Sequence, residues 1–181
     1  MRYPNSDIHS KLIEQCARGN TRAQHRLYAA YSKAMYNIAL RLLANKMDAE
    51  DALQEAFVQA FKNIEDYRGE AAFGAWLRKI VINYCLNFLQ RNKTIFESLE
   101  EQNESVEQQE TEKQEDAYGF QPEQIQQAIL KLPEGSRIVL NLYLLEGYKH
   151  REIAAMLHIS ESTSKSQYQR AKKLLKQTLT K

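Results

Sequence analysis

Apolar residues recur with helical spacing throughout the N-terminal half of the chain. There are four stripes of hydrophobic side chains. Within each stripe the apolar residues are mostly three or four positions apart, which is the repeat of one face of an α-helix. Strand-like alternation of apolar and polar residues is not sustained there. Thr21 and Asp48 are the candidate caps of the second and third helices. The stripes predict a four-helix bundle and cover residues 8–16, 27–42, 53–64 and 73–88.

The last third of the chain has shorter apolar runs separated by turn residues. Pro122 suits the first turn of a helix, and Gly147 suits the end of another. Two short helices around a tight turn at His158 form the pattern of a helix-turn-helix, in which Ser160 caps the final helix. The predicted helices cover residues 122–132, 136–146 and 150–157, followed by the segment after Ser160.

A strongly acidic stretch separates these two parts. Residues 97–116 hold nine acidic side chains against the single base Lys113, although the whole chain has a net charge of +2. Such a segment buries too little apolar surface to offset the entropy of ordering it, so we expect a mobile linker. The predicted organisation is an N-terminal helical domain (1–93), an acidic linker (94–120) and a C-terminal helix-turn-helix domain (121–181). Both domains are basic, which favours polyanionic partners.

Several classes of protein are disfavoured by composition. There is no apolar run long enough to span a membrane and no signal-peptide pattern at the start, so we expect a cytoplasmic protein without membrane insertion. Cys16 and Cys85 are far apart in sequence, and we interpret them as thiols in a reducing compartment rather than a disulfide. The four histidines lack metal-ligand spacing and no phosphate-binding glycine loop occurs. We therefore expect neither a metal nor a cofactor.

The final helix has one packing side and one polar side. At 100° per residue, Ser164, Tyr168, Ala171 and Leu175 share the side that faces Ile153 and Leu157. A polar helix face is usually just solvated. Here the short preceding helix, the tight turn and a basic tail favour a recognition helix in the DNA major groove. The polar side carries Ser162, Ser166, Gln169 and Lys173, flanked by Lys165 and Arg170.

Three stretches together resemble an RNA polymerase sigma factor of the extracytoplasmic-function (ECF) group of the sigma-70 family. They are DAEDALQEAFVQAFKNI (48–64), YRGEAAFGAWLRKIVINYCLNFLQR (67–91) and GYKHREIAAMLHISESTSKSQYQRAKKLL (147–175). They are similar to the core-polymerase-binding helix, the −10-reading and promoter-melting segment, and the −35-reading helix-turn-helix of that family. The resemblance implies an all-α protein that is not an enzyme and that directs core polymerase to promoters.

The resemblance also implies which residues make contacts. The spacing of Phe73 and Trp76 is more typical of core residues for both, and Trp76 is left out of the contacts. Asn83 matches the position that contacts a flipped −10 base. The core-polymerase contacts implied are Asp51, Gln54 and Glu55. The −10 contacts implied are Arg68, Phe73, Lys79, Asn83 and Asn87. The −35 contacts implied are Thr163, Lys165, Ser166, Gln169, Arg170 and Lys173.

The implied partners are core RNA polymerase, through the clamp helices of its largest subunit, promoter DNA and an anti-sigma factor, with the chain itself a monomer. Two positions depart from the family pattern: His158 stands where glycine is usual, and Ser164 where an aliphatic residue is usual. A dimeric helix-turn-helix repressor or activator remains an alternative, although no dimer seam is evident. An enzyme acting on nucleic acid, with a metal at Asp48, Glu50 and Asp51, is a weaker one.

Overall fold

The computed structural model describes residues 9–91 and 121–180, and the regular structure in these residues is helical. The all-α prediction is therefore confirmed. The chain divides into two compact units, Met1–Phe88 and Leu89–Lys181, each with its own core. The acidic linker predicted at 94–120 lies outside the described residues.

The N-terminal unit contains the four predicted helices. Its core is formed by their apolar stripes, and Ile13, Leu27 and Leu77 are among its fully buried side chains. The long helix α2 packs along α3, with α1 against its first half. The elements are α1 Ser10–Ala17, α2 Thr21–Leu43, α3 Lys46–Lys62, a 3₁₀ turn Ile64–Asp66 and α4 Phe73–Arg91.

Both cysteines of the chain are buried and free. Burial raises the pKa of Cys16 to about 11 and that of Cys85 to about 12. At neutral pH both are thus protonated thiols, which are poor nucleophiles and poor metal ligands. They behave as small apolar residues of the core.

The two caps predicted in this unit were wrong. The side-chain oxygen of Asn20 accepts the Ala23 N–H at 3.1 Å, so Asn20 rather than Thr21 caps α2. Asn45 caps α3 by accepting the N–H groups of Met47 at 2.9 Å and Asp48 at 3.3 Å. Asparagine is as good a cap as threonine or aspartate. Each of these asparagines directly precedes the first residue of its helix and has the extended backbone conformation of a cap. Asp48 instead lies in the first turn of α3, where its charge complements the helix dipole.

Within residues 121–180, the described part of the C-terminal unit, there are four helices and a π-helical turn. The first helix of this unit, α5, ends at Leu130, two residues before the predicted end at Leu132. The next helix, α6, begins at Glu134 directly after Pro133, two residues before the predicted start at Ser136. Gly147 has φ +79° and ends the segment as predicted. The elements are α5 Pro122–Leu130, α6 Glu134–Leu140, the π turn Asn141–Leu145, α7 His150–Leu157 and α8 Glu161–Leu179.

The core of this unit is built around the middle of α8. Ala171 is fully buried against Ile129 of α5, Leu132 of the turn after it and Leu140 of α6. Tyr168, Leu174 and Leu175 pack partly buried against the same cluster. From α7, Ile153 and Leu157 are buried. Helix α8 is thereby held by all three preceding helices, with its opposite side left for other contacts.

Candidate functional site

The last helix begins at a fixed cap. Ser160 accepts the Thr163 N–H through its hydroxyl oxygen at 2.9 Å, as predicted from the sequence. The residue before the turn, His158, has φ +56°, the left-handed conformation that glycine adopts most easily. A non-glycine residue is strained in this conformation, so the departure from the family pattern at His158 has a conformational cost. The turn connects α7 to α8 in the helix-turn-helix arrangement predicted.

The polar side of α8 is open to solvent as predicted. Lys165, Gln169 and Lys173 are exposed, and Thr163, Ser166 and Arg170 are half-buried beside them. We call these six residues the α8 outer face. Two of its hydroxyl groups already make contacts within the helix: Thr163 Oγ1 lies 2.8 Å from Ser160 Oγ, and Ser166 donates to the Thr163 carbonyl at 3.0 Å. The lysines, the glutamine and the arginine are thus the long polar side chains of this face.

One acidic residue adjoins this face. Glu161 Oε1 lies 2.8 Å from Lys165 Nζ, one helical turn away, and both side chains are about half exposed. The hydrogen bond from Lys165 lowers the pKa of Glu161, and the same bond raises the pKa of Lys165. Both groups are consequently charged at neutral pH. The pair was not anticipated from the sequence.

The packing side of α8 carries polar residues held by hydrogen bonds from other helices. Ser164 is fully buried, as predicted, and its Oγ lies 2.9 Å from Nδ1 of His150 in α7. Gln167 is also on this side, with only 3% of it exposed. Its Oε1 accepts a 2.7 Å hydrogen bond from Ser136 in α6. Gln167 is therefore a residue of the interior and not of the α8 outer face.

His150 joins an aromatic stack beside these bonds. Its ring lies nearly parallel to that of Tyr143, with centroids 4.2 Å apart. Tyr168 packs against both rings. Burial and the charge of Lys165 lower the pKa of His150, with Glu161 acting in the opposite direction. The neutral imidazole is therefore favoured at this position.

Helix α3 presents the three residues implied in polymerase binding on one surface. Asp51, Gln54 and Glu55 are all exposed, while Ala52 and Leu53 between them are buried. We call the three the α3 acidic patch. Met47 and Val58 lie at its two ends, with 75% and 43% of each residue exposed. The helical spacing of 47, 51, 54, 55 and 58 puts all five on one face. Sequence reasoning missed both apolar residues, although their spacing from the patch was visible.

Helix α4 presents a second polar stripe. Lys79, Asn83 and Asn87 are exposed and follow one another at four-residue intervals, which aligns them along one face. We call these three the α4 amide stripe. Arg68, in the loop before the helix, is also exposed. The structure thus leaves four of the five implied −10 contacts accessible.

Phe73 is the exception among the implied −10 residues. Its ring is fully buried and packs against Tyr31, Tyr67 and Trp76 at centroid distances of 5.4 to 5.5 Å. A ring in this position has no free face on which a base could stack. Trp76, which was interpreted as core, is only partly buried and lies three residues before Lys79 on the side of the amide stripe. Of the two aromatics, Phe73 is therefore the enclosed ring and Trp76 the partly exposed one.

A loop shaped by one hydrogen bond leads into α4. Tyr67 is 2% exposed and donates from its hydroxyl to the Ala71 carbonyl at 2.7 Å. Gly69 turns the chain between them with φ +74°. The bond closes the loop across Arg68 and Glu70, which both point to solvent. The loop therefore presents the Arg68 charge beside the start of α4.

These features define a two-part helical DNA-binding protein with a C-terminal helix-turn-helix. In the described residues no group of histidine, cysteine and acidic side chains is arranged to hold a metal ion. None of the described helices has both the length and the apolar character needed to cross a lipid bilayer.

Comparison with known proteins identifies the family. Residues 27–95 match Sigma-70 region 2, and residues 122–175 match Sigma-70, region 4. The chain is 30% identical over 179 residues to the ECF RNA polymerase sigma factor SigW of Bacillus subtilis, covering 93% of this chain and 95% of that protein. It is 27% identical to the RNA polymerase sigma-H factor of Pseudomonas aeruginosa, covering 93% and 92%. The chain belongs to the ECF RNA polymerase sigma factors of the sigma-70 family, which recognise promoters and initiate transcription.

A solved structure supports the fold. The sigma factor RpoE of Bartonella quintana, crystallised with the anti-sigma factor NepR, aligns with a TM-score of 0.53. The alignment covers 86% of this chain and 96% of that chain at 18% sequence identity. The similarity concerns the fold and leaves the contact residues to be argued from this chain.

Proposed function

We propose that the α8 outer face reads the −35 element of a promoter duplex. The observation that carries this assignment is the division of α8 into two sides. Ser164, Gln167 and Ala171 are buried, whereas Lys165, Gln169 and Lys173 are exposed on the opposite side. Glutamine pairs with adenine edges and arginine with guanine edges, and lysine neutralises phosphates. Gln169 and Arg170 are accordingly assigned to bases, and Lys173 to the backbone.

The α4 amide stripe binds the −10 element after its strands have separated. Capture of single-stranded DNA requires amide groups for base edges, positive charge for the backbone and an aromatic stacking surface. Asn83 and Asn87 supply the amides, and Lys79 and Arg68 supply the charge. The partly exposed Trp76 replaces the buried Phe73 as the stacking candidate.

The α3 acidic patch binds core RNA polymerase. Its carboxylates suit a basic docking surface. The exposed side chains of Met47 and Val58 at its ends add apolar area that binding would remove from solvent. The patch and its apolar ends form one continuous strip along the helix. The partner surface is the pair of clamp helices in the largest subunit, as the family resemblance implies.

The protein acts as a cytoplasmic, non-catalytic specificity subunit under the control of an anti-sigma factor. Support for such a partner comes from the related Bartonella fold, which was crystallised with one. The organisation proposed assigns residues 1–93 to polymerase and −10 binding, 94–120 to the connection and 121–181 to −35 binding.

In vitro transcription with core RNA polymerase tests the proposal. The wild-type holoenzyme is expected to start at defined sites, whose mapping gives the −35 and −10 sequences. Gln169→Ala should reduce discrimination among −35 sequences, whereas Gln177→Ala, also exposed on α8, should not. Asn83→Ala should reduce discrimination at −10 alone. A chain that never associates with core polymerase, even without competing sigma factors, would contradict the proposal.

Docking on polymerase is tested separately by charge reversal. Asp51→Lys/Glu55→Lys should weaken association with core polymerase in a pull-down or titration. Glu65→Lys/Asp66→Lys is the matched control, because it makes the same change in charge at two exposed acids outside the patch. Equal loss in both variants would show that overall charge, rather than the patch, governs association.

A further inference from the structure

The first seven residues of α8, which form most of its N-terminal half, carry no apolar side chain. Residues 161–167 read ESTSKSQ, and the α8 members of the apolar cluster around Ala171 begin at Tyr168. The N-terminal residues of a recognition helix are those that reach base edges in the major groove. The part of α8 that enters the groove therefore brings no apolar side chain of its own to its contacts with the neighbouring helices, and its specific side-chain contacts there are polar.

Two hydrogen bonds from different helices act on this half. Ser136 in α6 donates to Gln167 at 2.7 Å, with 0% and 3% of the two residues exposed. His150 in α7 bonds the fully buried Ser164 at 2.9 Å. Ser164 and Gln167 are separated by about 60° around the helix, so the two bonds approach one buried side.

We propose that Gln167 and Ser164 are positioning residues that set the rotation and register of the recognition helix for −35 reading. Apolar contacts tolerate a slide or a small rotation, whereas a hydrogen bond weakens steeply when its length or angle changes. A shift of α8 by one residue corresponds to about 1.5 Å and 100°. Such a shift would break both bonds and turn the α8 outer face away from the groove.

This role differs from simple stabilisation. Replacing both partners of a buried hydrogen bond by apolar groups of similar shape is often neutral for stability, whereas removing one partner is costly. Buried polar pairs have in some proteins been retained because they specify one arrangement among several. A positioning pair should therefore affect promoter discrimination in a variant whose stability is preserved.

The test uses the full chain assembled with core polymerase, and it rests on the proposed −35 role of α8. Transcription is compared between the promoter mapped with wild-type holoenzyme and the same promoter with its −35 bases substituted. The Ser136→Ala/Gln167→Leu double variant should keep a thermal midpoint close to wild type. Its −35 discrimination should fall about five- to tenfold, in the range of one lost base-specific contact.

Internal comparisons separate positioning from general damage. Ser136→Thr keeps the hydroxyl and should retain wild-type discrimination, and the −10 preference should be unchanged in every variant. If the double variant does not fold, His150→Phe/Ser164→Ala carries the same test, since phenylalanine preserves the stack on Tyr143. Wild-type −35 discrimination in a folded double variant would overturn the proposal.

The proposed function is tested in the same experiment by the unmodified protein. A wild-type holoenzyme indifferent to its −35 sequence would overturn the assignment of α8, and this proposal with it. A sensitive wild type with an equally sensitive double variant would overturn only the positioning role.

Discussion

Glu161 and Lys165 form an ion pair of 2.8 Å on successive turns of the recognition helix. The carboxylate is therefore placed beside a lysine of the face that is proposed to meet DNA. Exposed ion pairs of this kind contribute little to stability. Their charge nevertheless matters to a polyanion, because a phosphate must compete with Glu161 for the lysine.

Removal of this carboxylate should strengthen DNA binding. Glu161→Gln leaves Lys165 available to phosphates, so we expect holoenzyme affinity at low salt to rise about two- to fivefold. The slope of log affinity against log salt should steepen by about one. Fluorescence titration of labelled promoter at several salt concentrations measures both.

Glu123→Gln is the matched control for this substitution. Glu123 is also an exposed acid in the first turn of a helix, α5, so the change in charge and helix dipole is the same. It should leave the salt slope unchanged. Weaker binding by Glu161→Gln would mean that Glu161 itself contacts DNA, for example by accepting from the amino group of cytosine.

The lowered pKa of His150 predicts that the stability of the helix-turn-helix depends on pH. Its pKa is lowered by burial first and by Lys165 second, so the folded unit resists a proton that the unfolded chain accepts near the ordinary value. Stability should be intact above about pH 6.5 and should decline as the pH falls below that value. Glu161 opposes the shift, and Tyr143 and Tyr168 cover the ring.

Hydrogen exchange of amides in α7 and α8 between pH 7.5 and 5.5 measures this dependence locally, after correction for intrinsic exchange rates. His150→Asn keeps a hydrogen-bonding atom near the Nδ1 position but does not titrate. Its stability should therefore vary less with pH than that of the wild type. An identical pH profile in the two proteins would contradict the role of His150.

A substitution in the turn before the recognition helix should increase the stability of the C-terminal unit. His158 adopts φ +56°, which costs a non-glycine residue about 1–2 kcal/mol, partly recovered because histidine loses less backbone entropy than glycine on folding. His158→Gly should raise the free energy of unfolding by about 0.5–1 kcal/mol. Hydrogen exchange of amides in α7 and α8 at increasing urea concentrations measures the change in the C-terminal unit, because the single tryptophan and six of the ten tyrosines precede residue 89.

Gly147→Ala gives the opposite test in the same unit. Gly147 has φ +79°, and a Cβ added there meets no atom within 4 Å, so its effect is conformational alone. The substitution should lower the free energy of unfolding by about 1 kcal/mol. Stabilisation by alanine at this position would contradict the argument for both turns.

The sequence was informative about helices because their apolar stripes are long and regular. Periodicity predicted the helical elements of both units, but it could not choose between neighbouring caps such as Asn45 and Asp48, since both are acceptable chemically. It also gave no sign of the π turn Asn141–Leu145, in which the Glu146 N–H bonds the Asn141 carbonyl. A single register change of this kind leaves the apolar pattern almost intact.

The sequence could not predict how deeply each side chain is buried or which polar side chains pair with one another. Helical spacing put Phe73 and Trp76 on related faces, but only the position of Tyr31 and Tyr67 decides which ring is enclosed. Gln167 pairs with Ser136 across 31 residues of chain. A polar residue on a polar helix is read as exposed unless its partner is known. These are tertiary facts, and they changed the candidate site most.

A close approach between Gly74 and Tyr31 in the N-terminal unit gives the last prediction. A Cβ added at Gly74 would lie 2.9 Å from Cε1 of Tyr31. The tyrosine ring has little freedom to move away, since its hydroxyl lies 3.1 Å from His9 Nδ1 and its edge packs on Phe73. Gly74→Ala should therefore destabilise this unit, although alanine alone favours a helix interior by about 1 kcal/mol.

Tyr31→Leu provides the background in which the clash is relieved. There Gly74→Ala should be neutral or stabilising, so a double-mutant cycle should give a coupling of about 1 kcal/mol or more. Trp76 packs on Phe73 at 5.5 Å, so its fluorescence reports both unfolding and any displacement of the ring cluster. If Gly74→Ala is as stable as wild type and its tryptophan emission is unchanged, the Tyr31 ring moves aside at little cost. The cluster of Tyr31, Phe73 and Trp76 would then be less rigid than its contacts indicate.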